Sequence, residues 1–304
     1  MTRIVLLSDG YDMTPVVRPL LKAAPELVIV PEQEGSADVA VCWNPRPGSL
    51  ARLRGLKLVH SIAAGVDNIL ADPALPAVPL CRVVDPGHAQ GMTEFVTWGV
   101  LHFHRQMDRV LRNHARRVWE RPLQVAAAQR TIGVMGLGTL GARVAGELRR
   151  FGFSVRGYSR TRKALLGVET FGEDELKHFL SPLDILVCLL PLTEATRGIL
   201  NREHLAAMPR GARLIHAGRG EHLVRDDVLG ALNEGQLGGA IIDVFDKEPL
   251  SPGDAFWQAP NLIVTPHMAS VASFECIGEQ VASNVRRLVR GEPLANQVDA
   301  VRGY

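Results

Sequence analysis

The feature that most limits the fold is the stretch Thr131-Ile132-Gly133-Val134-Met135-Gly136-Leu137-Gly138-Thr139-Leu140-Gly141. A short β-prone run reaches a glycine turn, and an amphipathic segment over 140–151 follows. Strand, then G-x-G-x-x-G, then helix is the order in which this pattern signals dinucleotide binding. Gly136 permits a tight turn, Gly138 lets a pyrophosphate approach the backbone, and Gly141 lets helix and strand pack closely. The helix N-terminus adds unpaired N–H groups and a positive dipole end for the phosphates. Glycine is common here, 29 residues in all, so without its flanks the pattern reads equally as a structural turn. The flanking strand and helix decide for the nucleotide.

The rest of the chain fits around such a unit. Its 304 residues suffice for about two domains with a large core. The net charge of +2 gives no reason to expect nucleic acid or a membrane surface as partner. A basic run, Arg105, Arg109, Arg112, Arg116, Arg117 and Arg121, alternates with apolar positions and reads as a solvated helix face. Cys42, Cys81, Cys188 and Cys276 are scattered and form no C-x-x-C, which suits buried thiols in a reducing compartment. No metal site is expected, and the location expected is cytoplasmic.

Residues 1–90 alternate short apolar runs (3–8, 27–30, 39–41, 57–60, 80–83) with helical stretches such as 15–23, the pattern of a small parallel α/β domain. Apolar residues then recur at helical spacing over 92–118, predicting one long amphipathic helix that leads into the next domain. His102 and His104 on it are two apart, hence on different faces, and read as packing residues. Further strands are predicted over 154–158, 184–189, 212–216, 240–244 and 262–264, so the glycine motif opens a set of six. A last helix over 273–291 ends at Gly291-Glu292-Pro293 and is expected to return to the first domain. The division predicted is 1–95, 96–267 and 268–304: substrate domain, dinucleotide-binding domain, returning helix.

Cofactor choice is legible after the second strand. A carboxylate about 20 residues past the glycines ordinarily binds the ribose 2′-hydroxyl. This chain has Tyr158-Ser159-Arg160-Thr161-Arg162-Lys163 instead. Guanidinium groups bind a 2′-phosphate through directed, charge-assisted hydrogen bonds, whereas a carboxylate repels it. Ser159, Arg160 and Arg162 therefore favour NADP over NAD. A solvated basic loop is the competing explanation, and the position in the fold favours the phosphate.

Chemistry-bearing residues cluster at the ends of predicted strands, where ligands collect in open α/β sheets. The segments are His216-Ala217-Gly218-Arg219-Gly220, Asp243-Val244-Phe245-Asp246-Lys247-Glu248-Pro249 and Thr265-Pro266-His267. Arg, Glu and His suit hydride transfer to a carbonyl beside a carboxylate. Arginine pairs with the carboxylate and polarises the carbonyl, and histidine donates a proton to its oxygen. A glutamate bonded to the imidazole favours the charged ring.

Together with Leu190-Pro191-Leu192-Thr193, these motifs resemble the D-isomer-specific 2-hydroxyacid dehydrogenases, over nearly the whole chain. Tyr158 to Lys163, Cys42-Trp43, and the terminus Gly291-Glu292-Pro293, Gln297-Val298-Asp299 and Arg302-Gly303-Tyr304 are most similar to the glyoxylate/hydroxypyruvate reductase A type. The resemblance implies an α/β fold of two doubly wound parallel-sheet domains, a Rossmann cofactor domain inserted into a flavodoxin-like substrate domain. It implies that Arg219 orients the 2-oxo acid, Glu248 pairs with the histidine, and His267 is the acid/base. Asp243 would meet the nicotinamide carboxamide. Cofactor contacts would include Gly136, Gly138, Thr139, Leu140, Gly141, Leu190, Pro191, Thr196, Ala217 and Gly218. Ala64 and Gly65, in Ala63-Ala64-Gly65-Val66-Asp67, would hold the substrate carboxylate, with Trp43 beside it and Trp257 a further candidate. A homodimer is implied.

Two departures stand out. Before the Arg219-Gly220 pair, where the family commonly has Asn, this chain has His216-Ala217-Gly218, and Met268-Ala269-Ser270-Val271 replaces glycine-rich sequence after the histidine. The activity expected is NADPH-dependent reduction of glyoxylate and hydroxypyruvate. The alternatives are a family member acting on a bulkier acid, or a nucleotide-sensing binding protein like the corepressors that share the fold.

Overall fold

A computed structural model describes residues 1–299, so Arg302-Gly303-Tyr304 lies outside the described residues. The chain begins β1 (Arg3–Ser8), α1 (Thr14–Ala23), β2 (Val28–Val30), β3 (Val39–Trp43), β4 (Leu58–Ser61), α2 (Asp67–Leu70) and β5 (Leu80–Cys81). Then come α3 (Pro86–His104), α4 (Met107–Ala115), β6 (Thr131–Met135), α5 (Thr139–Arg150), β7 (Ser154–Tyr158), β8 (Glu169–Phe171), α6 (Leu176–Leu180) and β9 (Ile185–Cys188). It continues with α7 (Arg202–Ala206), β10 (Ala212–His216), α8 (Arg225–Asn233), β11 (Leu237–Ile242), β12 (Leu262–Val264) and α9 (Phe274–Arg290).

Internal contacts divide the chain into two units, Met1–His88 with the chain from Val271 onward, and Ala89–Ser270. The sequence pattern sets those crossings at 95/96 and 267/268. In the first unit five parallel strands take the order β2-β1-β3-β4-β5. This is a flavodoxin-like order. Ile277, Val281 and Val285 of α9 share a core with Val16, Leu20 and Ala24. The helices approach closely, since a Cβ on Gly278 would lie 2.7 Å from the Pro19 carbonyl carbon. Ser273 caps α9 by accepting from Cys276 N–H, and Gly291 ends it at φ 67°. Buried His60 faces the Asn284 side chain, Nε2 to Nδ2 3.1 Å, which ties β4 to α9.

The second unit is a seven-stranded parallel sheet in the order β12-β11-β10-β9-β6-β7-β8. It exceeds the six strands predicted by one. The extra strand, β8, spans only Glu169–Phe171 and buries Phe171 alone, so it carries no periodic signal. The long helix predicted over 92–118 is also corrected. It is α3 and α4, broken at Gln106, whose φ of 56° leaves the right-handed helix. Met107, Val110 and Leu111 resume the apolar spacing beyond the break, which hides it from a periodicity argument. His102 and His104 are buried, and Arg109 pairs with Glu120 at the surface.

Because every strand pair is parallel, all carboxyl ends in this sheet lie along one edge. The strand order reverses between β6 and β9, the place where such sheets bind ligands. Among the described residues, no helix is long and apolar enough to cross a membrane.

Candidate active site

At the carboxyl end of β6 the glycines perform separate steric tasks. Gly136 turns the chain at φ 97°, and a Cβ on Gly141 would fall 1.8 Å from the Gly136 carbonyl oxygen. A Cβ on Gly138 would meet nothing within 4 Å. Gly138 is the exposed N-cap of α5 and supplies no side-chain acceptor to the first N–H groups of the helix, which begin at Thr139 and Leu140. A helix start with no acidic residue in its first turn, beside an open glycine, is an arrangement that a pyrophosphate fits.

The loop after β7 sorts the predicted phosphate readers. Arg160 is exposed, and its side chain has no partner among the described residues. Arg162 forms a two-point pair with Glu175, Nε to Oε2 2.8 Å and a second contact from its terminal nitrogen to Oε1. That pairing holds Glu175 down to about 2. Ser159 Oγ donates to the Thr161 carbonyl at 2.8 Å. Lys163, which sequence reasoning left off the site, donates to the Leu137 carbonyl at 2.6 Å and ties this loop to the glycine turn. Beyond β9, Thr196 Oγ1 donates to the Pro191 carbonyl at 2.8 Å and accepts from Thr193 N–H, bracing the turn that starts at Leu190-Pro191.

Arg219 follows β10 and Ala217-Gly218. Its backbone N–H donates to His222 Nδ1 at 3.0 Å, and its carbonyl accepts from His216 Nε2 at 2.8 Å. A Cβ on Gly220 would lie 1.9 Å from the Phe245 carbonyl carbon. Only glycine lets this loop sit against the segment that carries Glu248.

Past β11, Asp243 is buried and holds the turn that carries His267. Its Oδ1 accepts from Thr265 Oγ1 (2.6 Å) and Met268 N–H (2.9 Å), and its Oδ2 from Ala269 N–H (2.9 Å). Burial raises its pKa against the pull of those hydrogen bonds. His267 adopts φ 52°, a left-handed backbone that costs a β-carbon residue on the order of 1–3 kcal/mol. The turn is over-determined by the Asp243 bonds and by His267 N–H to the Asp243 carbonyl at 2.9 Å.

Glu248 joins the parts. Its Oε2 lies 2.8 Å from His267 Nδ1, and its Oε1 accepts from Phe245 N–H at 2.9 Å. Burial opposes its charge, yet hydrogen bonds from His267 and Phe245 and the charges of His267 and Arg219 hold its pKa below the ordinary value. Arg219, Glu248 and His267 thus share one electrostatic neighbourhood at the carboxyl edge of the sheet. A carboxylate only accepts, so His267 Nδ1 carries the hydrogen of this bond.

Trp43 ends β3, its ring tilted at 54° against Tyr11 with centroids 5.1 Å apart, and Ala64 and Gly65 lie just after β4, all in the first unit. Trp257 donates its indole N–H to the Ser251 carbonyl at 2.8 Å and is half exposed.

Comparison with known proteins agrees with this geometry. Residues 97–269 match the family model of the NAD binding domain of D-isomer-specific 2-hydroxyacid dehydrogenases. A D-isomer-specific 2-hydroxyacid dehydrogenase family protein from Klebsiella pneumoniae 342 is 43% identical, with TM-score 0.92 over 99% of this chain and 98% of that one. A D-isomer-specific 2-hydroxyacid dehydrogenase from Xanthobacter autotrophicus Py2, solved with NADPH and MES, is 39% identical, with TM-score 0.91 over 100% and 99%. An NADPH-dependent glyoxylate/hydroxypyruvate reductase from Sinorhizobium meliloti, solved with NADP and sulfate, is 37% identical, with TM-score 0.93 over 100% of both chains.

Fold and site define a class of enzyme that couples a dinucleotide to the chemistry of small 2-hydroxy or 2-oxo acids. The chain belongs to the D-isomer-specific 2-hydroxyacid dehydrogenases.

Proposed function

We propose that this protein is an NADPH-dependent reductase of small 2-oxo acids, with glyoxylate and hydroxypyruvate as its substrates. The observation that carries the reading is the Glu248–His267 pair, 2.8 Å apart, with the charge of Arg219 acting on the same carboxylate. The substrate assignment draws on the likeness to the Sinorhizobium meliloti reductase.

Gly136, Gly138, Thr139, Leu140 and Gly141 would hold the pyrophosphate, and Arg160, with Ser159 and Arg162, the 2′-phosphate. Leu190, Pro191, Thr196, Ala217, Gly218 and Asp243 would complete the dinucleotide site, Asp243 through the carboxamide. When bound, NADPH supplies the hydride. Arg219 binds the substrate carboxylate and polarises the adjacent carbonyl. His267, oriented through Nδ1 by Glu248, donates the proton from Nε2 to the carbonyl oxygen. Ala64 and Gly65 would add backbone N–H groups for the substrate carboxylate, and Trp43 an apolar wall.

The same reading includes a homodimer formed through α3, α4 and the segment after them. Trp98, Met107, Leu111, Val118, Trp119 and Leu123 are exposed apolar residues there, Trp119 completely so. Exposed apolar residues gathered in one stretch of chain suit an interface. The free, buried thiols Cys42, Cys81 and Cys188 suit a cytoplasmic location.

The test is steady-state NADPH consumption with glyoxylate, hydroxypyruvate and bulkier 2-oxo acids, each repeated with NADH. Preference for the two small acids with NADPH supports the reading. Preference for a bulky acid assigns another family member, and tight NADPH binding without turnover assigns a nucleotide sensor.

A further inference from the structure

We infer that His216 and His222 are positioning residues for Arg219, two buried imidazoles that grip its main chain from both sides and so fix the origin of its guanidinium. The inference rests on the proposed role of Arg219 in holding the 2-oxo acid.

Hydrogen-bond polarity sets the tautomer of both rings. His222 Nδ1 accepts the Arg219 N–H at 3.0 Å, so that ring is neutral and carries its hydrogen on Nε2, which faces the Pro191 carbonyl at 3.3 Å. The Arg219 carbonyl can only accept, so His216 Nε2, at 2.8 Å, must be protonated. Both side chains are 0% exposed, and their rings meet edge to face with centroids 5.6 Å apart. Burial pushes His216 down to about 3, which keeps it neutral wherever the enzyme works. One residue three positions before Arg219 and one three positions after it therefore satisfy its carbonyl and its N–H without help from solvent.

Glycines on either side of Arg219 make room for the grip. A Cβ on Gly218 would lie 2.9 Å from His222 Nδ1, and one on Gly220 would enter the backbone at Phe245. Cys188, His216 and His222 also bring donor atoms within 4.8 Å of one another, a spacing open to a metal ion. However, His222 holds the Arg219 N–H and the Pro191 carbonyl with its two ring nitrogens, and burial pushes the Cys188 thiol up to about 12, so neither is prepared to take a metal. The geometry favours the positioning role. An arginine carries its charge at the end of a flexible side chain, and displacement of a substrate-holding group by about 1 Å costs on the order of a hundredfold in rate.

The experiment compares His222→Phe, His216→Leu, His216→Asn and Arg219→Ala in the full chain. It measures KM for glyoxylate, affinity for oxalate (a non-reducible analogue) in the presence of NADPH, affinity for NADPH alone, and melting temperature. His222→Phe and His216→Leu should weaken glyoxylate and oxalate about tenfold or more while NADPH affinity stays within about twofold. His216→Asn keeps an N–H donor for the Arg219 carbonyl and should behave as the parent. If His222→Phe does not fold, the contrast between His216→Leu and His216→Asn carries the test. Unchanged oxalate and glyoxylate binding in the histidine variants, with Arg219→Ala impaired, would overturn the grip alone. So would parallel loss of NADPH, oxalate and melting temperature, which is the signature of a merely structural role. Unchanged binding in Arg219→Ala would instead overturn the role of Arg219, and the grip with it.

Discussion

Glu248 Oε2 lies 2.8 Å from His267 Nδ1 across 19 residues of chain, while the other carboxylate oxygen takes the Phe245 N–H. The carboxylate is thus fixed at both oxygens, and the imidazole is oriented by a group that is itself held. Each partner sits on a loop at the carboxyl edge of the sheet, Glu248 after β11 and His267 after β12.

Glu248→Gln removes a negative charge from the imidazole and keeps the shape. The carboxylate that orients the imidazole is then lost, and turnover should fall about tenfold or more with NADPH affinity little changed. Parent turnover would show that Glu248 does not act on the acid.

Two glycines should respond in opposite ways to alanine. Gly220→Ala puts a Cβ 1.9 Å from backbone, which no side-chain movement can relieve. Its cost should reach about 3 kcal/mol or more, seen as a large fall in melting temperature. Gly138→Ala meets nothing within 4 Å, so the melting temperature should hold while NADPH affinity falls. Full NADPH affinity in Gly138→Ala would remove the phosphate from this turn.

Arg160 and Arg162 should not contribute equally to selecting the cofactor. Arg160 is exposed without a partner among the described residues, whereas Arg162 is engaged by Glu175. Arg160→Ala should weaken NADPH by about ten- to a hundredfold, the worth of a charge-assisted hydrogen bond. NADH should be little affected. Arg162→Ala should have the smaller effect on NADPH. Equal losses for both cofactors in Arg160→Ala would contradict a 2′-phosphate contact.

Buried histidines set an acid limit on stability. Burial lowers His60 to about 4 and His216 to about 3, below the 6.5 of a free imidazole. Between those values the unfolded chain binds protons that the folded chain does not. Stability is therefore complete above about pH 6.5 and falls on acidification, by up to about 1.4 kcal/mol per pH unit for each histidine. Replacing His60 with Leu should flatten the slope of unfolding free energy between about pH 6 and pH 4.5 by one such increment. An unchanged slope would mean that His60 titrates normally in the folded protein.

Much of this was legible in residue order alone, and the exceptions have physical causes. The glycine turn, most strands, and the segments holding Arg219, Glu248 and His267 show because parallel strands leave apolar runs and turns leave glycines. Strand β8 is too short for periodicity, and the break at Gln106 lies within an uninterrupted apolar spacing. The partners of the reacting groups do not show at all. Sequence cannot reveal that His222 turns back onto Arg219, that Asp243 braces the His267 turn, or that Glu175 claims Arg162, since each is a contact made by folding. Lys163 was visible as a charge but not as the tie to Leu137.

In the proposed reaction His267 donates the proton while Arg219 holds the acid. Single-turnover reduction of glyoxylate by enzyme saturated with NADPH, comparing the parent with His267→Ala, tests it most directly. The expected rate for His267→Ala is at least about a hundredfold lower with unaltered NADPH binding; near-parent turnover would rule His267 out as the proton donor.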